Sequence, residues 1–190
     1  EFLERACSIQ KNHLKSIDYP YLLLNMAHCH FHNGQDEIGM ALLSEAEILL
    51  TVPGRNKGLS ELFHLKGIKA KMDGDFWTSL EYLGKALEIK KKLPDQRGAA
   101  EVRLLIAQVL YDRKSNDEAV LVSDTVLLSS YLLGTPDIEL AALLLQAQIR
   151  AEEGKNLNRA ILYKRYIKLS DSLYAVQKME DLAKVENAFL

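Results

Sequence analysis

Residues that interrupt helices or cross-link chains are scarce in this sequence. Its 190 residues include four prolines, ten glycines and two cysteines, whereas 48% of the residues are hydrophobic and 26% are charged. This composition predicts a folded, helix-rich protein with a sizeable core, not a disordered chain. Cys7 and Cys29 are predicted on consecutive helices. A disulfide between them is one alternative, and two separate buried or half-buried thiols are the interpretation that we favour.

An excess of one charge and a long apolar run are also missing. The formal net charge is −2, and the run Lys90–Lys92 suits the C-terminal end of a helix. We therefore expect no direct nucleic-acid binding and no membrane insertion by this chain. The chain starts at Glu1 without Met, in what reads as the second helix of an earlier unit. This start predicts a fragment of a longer protein, so the lack of a signal peptide or anchor carries little weight.

A unit of about 40 residues recurs along the chain. The small residues that let a second helix cross closely recur at this spacing: Ala27, Gly67, Ala107 and Ala147. The turn positions recur in the same way: Gly34, Gly74, Lys114 and Gly154. A later packing position does so as well: Ala6, Ala46, Ala86, Val126 and Tyr166. An internal period of this size predicts stacked supersecondary units.

The best-defined unit resembles the tetratricopeptide (TPR) superfamily. Gly74-Asp75-Phe76, followed by Ala86-Leu87-Glu88, is similar to the family pattern of Gly, Asp or Asn, an aromatic residue, and later Ala-Leu-Glu. The resemblance implies an all-α, TPR-like superhelix of stacked antiparallel helix pairs. The period here exceeds the 34 residues usual in the family, which predicts longer helices. Lys114 and Val126 depart from the family pattern, as does the fourth unit.

The apolar spacing and the helix breakers predict these helices: Glu1–Ser16, Pro20–Asn33, Gln35–Leu50, Lys57–Asp73, Asp75–Lys92, Gln96–Arg113, Asn116–Leu133, Asp137–Glu153 and Asn156–Leu169. No strand is predicted. Asp75 is expected to cap one helix, and Ser115 or Asn116 another. Residues 1–170 are predicted to form the repeat array. Residues 171–190 are predicted to form a capping or linker helix, which covers the end of the array or leads into a coiled coil.

The run from Tyr163 to Tyr174 resembles the end of TPR sensor regions in bacterial histidine kinases and helix-turn-helix regulators, where Y-K-x-Y-x-x-L-x-D-S-L closes the array. The resemblance implies the sensor or interaction region of a larger bacterial signalling or transcription regulator, with a homodimer through the tail helix as a further expectation. Such a region is periplasmic in a membrane-anchored sensor and cytoplasmic otherwise. The alternatives are a structural scaffold or adaptor with no switching role and, more weakly, an accessory domain of a larger enzyme.

Residue types that ligate metals cluster only between His28 and His32. These two histidines share a helix face, and His64 could approach it one unit later, but zinc needs about four ligands or three and a water. We therefore favour histidines that line a groove, with His30 in place of a core tyrosine, and predict no metal and no cofactor. No nucleophile motif or phosphate-binding loop is present, so we predict no catalytic residue and no enzyme.

In the TPR family the first helix of each pair lines a concave groove, and the resemblance implies binding of a protein or peptide there. The implied groove residues are Tyr21, Leu24, His28, Phe31, His32, Glu61, His64, Ile68, Lys71, Met72, Glu101, Leu104, Gln108, Tyr111, Asp112, Leu144, Gln148 and Glu152. Only Lys71 is basic, which argues against a site for an anionic C-terminus. The alternative is that some of these residues pack against neighbours and that the tail helix fills part of the groove.

Overall fold

The computed structural model describes the backbone of residues 18–52 and 54–188, and within these ranges all side chains except those of residues 156 and 178–188. The described residues form eight helices and no strand, so the fold is all-α, as predicted. The helices are α1 Tyr19–His32, α2 Asp36–Leu50, α3 Asn56–Met72, α4 Phe76–Lys92, α5 Gln96–Asp112, α6 Asn116–Leu133, α7 Pro136–Glu152 and α8 Asn156–Ala188.

All but the last helix begin and end within one residue of their predicted bounds. The predicted helix Glu1–Ser16 lies outside the described residues. α8 was predicted to end at Leu169 but continues to Ala188, because no glycine or proline follows Gly154 to interrupt it. The division into a repeat array and a capping or linker segment after residue 170 stays a prediction. No described helix is both long and apolar enough to cross a membrane.

The turns within the four helix pairs share one backbone geometry. Gly34, Gly74, Lys114 and Gly154 have φ angles of 70°, 75°, 65° and 70°. At Gly74 the N–H donates to the Lys71 carbonyl at 3.0 Å, and the next N–H, of Asp75, donates to the Ala70 carbonyl at 2.9 Å. This is the Schellman arrangement that ends helices with a left-handed residue. The predicted turn register is confirmed at all four positions, including the one where Lys114 replaces glycine.

The predicted small residues lie where helices meet. Ala27, Ala107 and Ala147 are buried, as is Gly67. A Cβ atom added to Gly67 would lie 2.7 Å from Leu83 Cδ2, so only glycine allows α3 and α4 to approach this closely. The later packing positions Ala46, Ala86 and Val126 are also fully buried, whereas Tyr166 is half-buried and Ala6 lies outside the described residues.

One of the two predicted caps is confirmed. Asp75 Oδ1 accepts the Thr78 N–H at 3.1 Å and so caps α4. Ser115 occupies the position before α6, but its side chain makes no capping bond. Its hydroxyl instead accepts from Arg113 Nε at 3.1 Å. The α6 cap was therefore predicted at the right place with the wrong partner.

The chain divides into two compact units, with the boundary between Val102 and Arg103 inside α5. In unit 1, α1 packs on α2 and α3 packs on α4, and both α1 and α2 contact α3. In unit 2, α7 contacts both α6 and α8. The buried core of the first pair and its neighbour α3 contains Tyr19, Leu23, Leu24, Ala27, Phe31, Leu43, Ala46, Leu50, Leu62 and Leu65.

Candidate functional site

A pocket of about 710 Å³ opens in unit 1 between α1 and α3. Six of the predicted groove residues line it: Tyr21, Leu24, His28, Glu61, His64 and Ile68. The other lining residues are Asp18, Asn25, Lys57 and Leu65. The pocket is therefore lined by the first helices of two successive pairs.

Helical spacing explains why these side chains converge. On α1, Tyr21, Leu24 or Asn25, and His28 follow one another at intervals of three or four residues, and so share one face. On α3, Glu61, His64 or Leu65, and Ile68 follow the same rule. The aliphatic residues Leu24 and Leu65 are buried and Ile68 is half-buried, so they form an apolar floor below the polar side chains.

The Glu61 carboxylate is held in place by two side chains, from two directions. Its Oε2 lies 3.8 Å from His64 Nδ1, and its Oε1 accepts from Lys90 Nζ at 2.6 Å. The neighbouring His64 ring, and then the Lys90 ammonium, lower the pKa of Glu61 to about 2 against the opposing effect of burial. Glu61 is therefore ionised and engaged at neutral pH.

Lys90 extends this network to the start of α5. Its side chain is 4% exposed, and Nζ lies 3.0 Å from Asp95 Oδ2 as well. Burial alone would lower the pKa of Lys90, but the two carboxylates raise it above its usual value. Asp95 Oδ1 accepts the Gly98 N–H at 2.9 Å and caps α5. A Cβ atom on Gly98 would lie 2.7 Å from Lys90 Nζ, so the glycine provides the space for the ion pairs.

The histidines of α1 form a pair at the side of the pocket. His28 Nε2 lies 3.0 Å from His32 Nε2, with one ring as donor and the other as acceptor. Burial lowers the pKa of His28, and the nearby His32 and His64 lower it further, so His28 is a neutral hydrogen-bonding group at pH 7. Among the residues that the structure describes, no group of three or more His, Cys, Asp or Glu side chains could hold a metal ion.

Two predictions on this helix need correction. His30 does not replace a core tyrosine, because it is only half-buried and its Nδ1 lies 2.7 Å from Gln35 Oε1 at the turn. Cys29 is a free, exposed thiol instead of a buried or half-buried one. Cys7, its partner in the alternative disulfide, lies outside the described residues.

The remaining predicted residues of the first two pairs do not line the pocket. Phe31 is buried in the core against Gly39 of α2, because it follows the packing residue Ala27 by four positions and shares its face. His32 and Met72 are exposed, and Lys71 is half-buried.

In unit 2 two of the predicted groove residues, Tyr111 and Glu152, contact each other. The Tyr111 hydroxyl donates to Glu152 Oε1 at 2.7 Å, which raises the pKa of Tyr111 to about 12 and lowers the pKa of Glu152. Lys114 Nζ lies 3.3 Å from the same carboxylate. The others divide by exposure: Leu104, Gln108 and Leu144 are half-buried, and Asp112 and Gln148 are exposed. Glu101, in the part of α5 that belongs to unit 1, pairs with Arg97 at 3.1 Å.

A second cavity, of about 580 Å³, lies in unit 2 where α6 ends, α7 begins and α8 passes. The sequence did not predict it. Its lining includes Tyr131, Thr135, Pro136, Lys168 and Leu173. Arg165 also lines it, but its guanidinium is paired with the buried Glu139 of α7, so this cavity is mainly apolar.

Solved structures that this chain resembles include proteins with TPR-like repeats. BtubC (BKLC) from P. vanneervenii has a TM-score of 0.72 at 13% identity, and the match covers 82% of this chain and 65% of BtubC. Two crystal structures of a Podosopora anserina putative kinesin light chain with nearly identical TPR-like repeats have TM-scores of 0.64 and 0.62 at 17% identity. The two matches cover 91% and 90% of this chain, and each covers 85% of the kinesin light chain structure.

These similarities show a TPR-like fold, which the resemblance of the repeat unit implied. Such folds are typical of protein-interaction modules. The sequence matches no family model and no curated protein. This chain spans about two thirds of the length of BtubC.

Proposed function

We propose that this chain is a non-catalytic module that binds a protein or peptide in the unit 1 pocket. The observation that carries the proposal is the combination of an apolar floor with converging polar side chains in an open cavity of about 710 Å³. Leu24, Leu65 and Ile68 offer contact to an apolar side chain of the ligand. Asn25 and the neutral His28 offer hydrogen bonds to its peptide groups. Pockets with this composition suit specific ligands.

The charge of the pocket restricts the ligand further. Glu61 is already paired with Lys90, and the pocket contains one other acid, Asp18, and one exposed lysine, Lys57. Neither sign dominates at the opening. We therefore expect a segment of low net charge with at least one large apolar residue.

Selection from a random peptide library displayed on phage tests the proposal. Selected peptides are expected to bind the wild-type chain and to lose at least ten-fold in affinity to the variant Asn25→Arg, whose long side chain covers the pocket. Asn33→Arg is the matched control, because Asn33 is exposed at the end of the same helix and outside the pocket. Peptides that bind both variants equally, or a selection that yields none, would contradict this site.

We further propose that the module is part of a bacterial signalling or transcription regulator, such as a two-component sensor. The resemblance of residues 163–174 to the end of TPR sensor regions supports this proposal, and so does the continuation of α8 beyond the array. Ligand binding would then change the tail helix, and a homodimer through α8 would transmit the change. Hydrogen exchange in α8 is expected to slow or accelerate when a selected peptide binds.

A scaffold or adaptor with no switching role is the alternative. The similarity to structures described as kinesin light chains favours it, since none of the reported neighbours is described as a sensor. Unchanged exchange in α8 at saturating peptide would support the scaffold and reject the switch. Both alternatives include peptide binding. Hydrogen exchange in α8 therefore distinguishes the switch from the scaffold without bearing on the proposed peptide site.

A further inference from the structure

An apolar stripe runs along one exposed side of α8. Ala160, Ile167 and Tyr174 recur every seven residues, and Tyr163 lies one turn before Ile167. All four are exposed, Ile167 by 56% and Tyr174 by 74%. A seven-residue spacing keeps side chains on one side of a helix over several turns, as in helices that pair with another helix.

The stripe is distinct from the side of α8 that packs within unit 2. The half-buried residues Leu162, Leu169 and Leu173 lie on the opposite side of the helix, by the 100° turn between successive residues. α8 contacts α7. The stripe therefore stays available to an external helix while α8 is anchored in its own unit.

We infer that the stripe is the interface of an antiparallel homodimer in which two copies of α8 cross at Ile167. The inference rests on the proposed dimer through the tail helix and specifies its direction, register and residues. The occupant is a second copy of this chain because the stripe is complementary to itself when one helix is reversed, in both size and charge.

Size complementarity follows from the position of Ile167 midway between the other two stripe residues. In an antiparallel pair centred on Ile167, Ala160 of each copy meets Tyr174 of the other, so a small side chain faces a large one at both ends. In a parallel pair, Tyr174 would face Tyr174 and Ala160 would face Ala160, which leaves one crowded and one empty layer.

Charge complementarity points the same way. Lys164 and Asp171 flank the stripe on one edge, three residues before and four residues after Ile167. The antiparallel pair places Lys164 of each copy beside Asp171 of the other, whereas a parallel pair brings like charges to the same level. Lys164 and Asp171 lie about 10.5 Å apart along their own helix, too far to pair with each other. Neither forms an ion pair with another residue that the structure describes.

Sedimentation velocity of the complete chain tests the interface. We expect a dimer for the wild type and at least a ten-fold rise in the dimer dissociation constant for Ile167→Glu. Ile48→Glu is the matched control, because Ile48 is 74% exposed on α2 in unit 1. A monomeric wild type, or an equal response of the two variants, would overturn the inference.

Charge exchange tests the pairing partner. Lys164→Asp alone and Asp171→Lys alone are each expected to weaken the dimer about five-fold, since each creates two like-charge contacts. The double variant Lys164→Asp with Asp171→Lys is expected to return to the wild-type dissociation constant. Additive weakening in the double variant would rule out the Lys164–Asp171 contact between copies.

Cysteine cross-linking tests the direction, in a chain with Cys7 and Cys29 changed to Ser. Disulfide-linked dimers are expected from the double variant Ala160→Cys, Tyr174→Cys, and not from Ala160→Cys alone. Efficient linkage of Ala160→Cys alone would demonstrate a parallel pair and overturn the inference.

Binding of a phage-selected peptide is measured on Ile167→Glu as well. Because the unit 1 pocket lies outside α8, binding by the monomeric variant is expected to be unchanged. Failure of the dimer inference and failure of the proposed peptide site therefore give different results.

Discussion

Where α4 leads into α5, unit 1 buries the ammonium group of Lys90 between Glu61 and Asp95. Forty residues later, where α6 leads into α7 in unit 2, the residue in the position of Lys90 is Ser130. Its hydroxyl donates to the Leu127 carbonyl at 3.1 Å. The same repeat position thus holds a buried cation in one unit and a neutral hydroxyl group in the other.

The residues that follow compensate for the difference in size. Gly98 accompanies the long Lys90, whereas the equivalent positions in unit 2 hold the buried Ile138 and the smaller Ser130. At the preceding junction, the large Leu50 again accompanies a glycine, Gly58, and contacts the space where its Cβ would be. At these two junctions of unit 1, a long side chain occupies the space that a Cβ atom eight residues later would take.

Breaking the ionic junction is expected to have the largest effect on stability. Lys90→Ala leaves two carboxylates without their shared cation, and we expect a loss of about 3 kcal/mol in the free energy of unfolding. Urea denaturation measures it. Lys85→Ala is the control, because its pair with Glu81 is exposed to solvent and should contribute little to stability. Equal losses of stability in the two variants would show that burial of Lys90 does not increase the contribution of its ion pairs.

Transfer of the unit 2 junction sharpens the same comparison. The triple variant Lys90→Ser, Asp95→Thr and Gly98→Ile is expected to regain part of the stability lost in Lys90→Ala, since it fills the vacated space and removes one of the two carboxylates that lost their cation. Lys90→Ser with Asp95→Thr, but with Gly98 retained, serves as its control and should remain destabilised by the unfilled volume. Similar stability of these two variants would contradict volume compensation.

The close helix contact at Gly67 should give the next largest effect. Gly67→Ala places a methyl group against Leu83 and is expected to cost about 1–3 kcal/mol. Gly84→Ala, on the open side of α4, should instead gain about 0.5–1 kcal/mol from helix propensity. Thermal unfolding separates the two. A gain of stability in both variants would mean that α3 and α4 can move apart enough to accept an alanine. Alanine is the residue at the equivalent positions of the later units, Ala107 and Ala147.

The turn at Lys114 offers a smaller gain. A non-glycine residue in the left-handed conformation is strained, so Lys114→Gly is expected to stabilise the protein by about 0.5–1 kcal/mol, despite losing the ion pair with Glu152. The reverse change in unit 1, Gly74→Lys, should destabilise it by a similar amount. Chemical denaturation of both variants checks the sign. Destabilisation by Lys114→Gly together with stabilisation by Gly74→Lys would show that the side-chain contacts of Lys114 outweigh its backbone strain.

Glu61 is expected to make the stability of the fold depend on pH. Its pKa falls from 4.5 to about 2 on folding, so the ionised form stabilises the fold above pH 4.5. That contribution is lost as the pH drops from 4.5 towards 2. The stability difference between wild type and Glu61→Gln should therefore shrink over this range. Glu101→Gln, at the corresponding position of α5, is the control, and an equally large change there would contradict the assignment.

Local features of the fold could be predicted from the sequence. Helix bounds depend on turns and apolar spacing within one pair, and the 40-residue register identified even Lys114 as a turn residue. The tail was harder to predict, because one helix was expected to end at Leu169 and another to cover residues 171–190, whereas Ser170 and Asp171 lie inside a single helix. Ser and Asp favour helix starts, but inside a helix already anchored on α7 they are tolerated.

The candidate site was predicted only in part. Residue spacing indicates which side chains share a face of a helix, but it does not indicate which other helices pack against that face. Asn25 follows Tyr21 by four residues and could have been included by that rule. Lys90 could not be assigned from local pattern, since its partner Glu61 lies 29 residues away and the lysine run suggested a helix end. The sequence did contain one sign that Lys90 is buried. It occupies the same position of the repeat as Leu50, which is a buried apolar residue.

The compensation between Leu50 and Gly58, and between Lys90 and Gly98, has a consequence for recombination of these repeats. Each compensating pair joins the second helix of one hairpin to the first helix of the next. A chimera cut between hairpins would separate partners of matched size and join, for example, Lys90 to Ile138. The exchangeable cassette is therefore a second helix together with the first helix that follows it, and crossovers should fall at the left-handed turns Gly34, Gly74, Lys114 and Gly154.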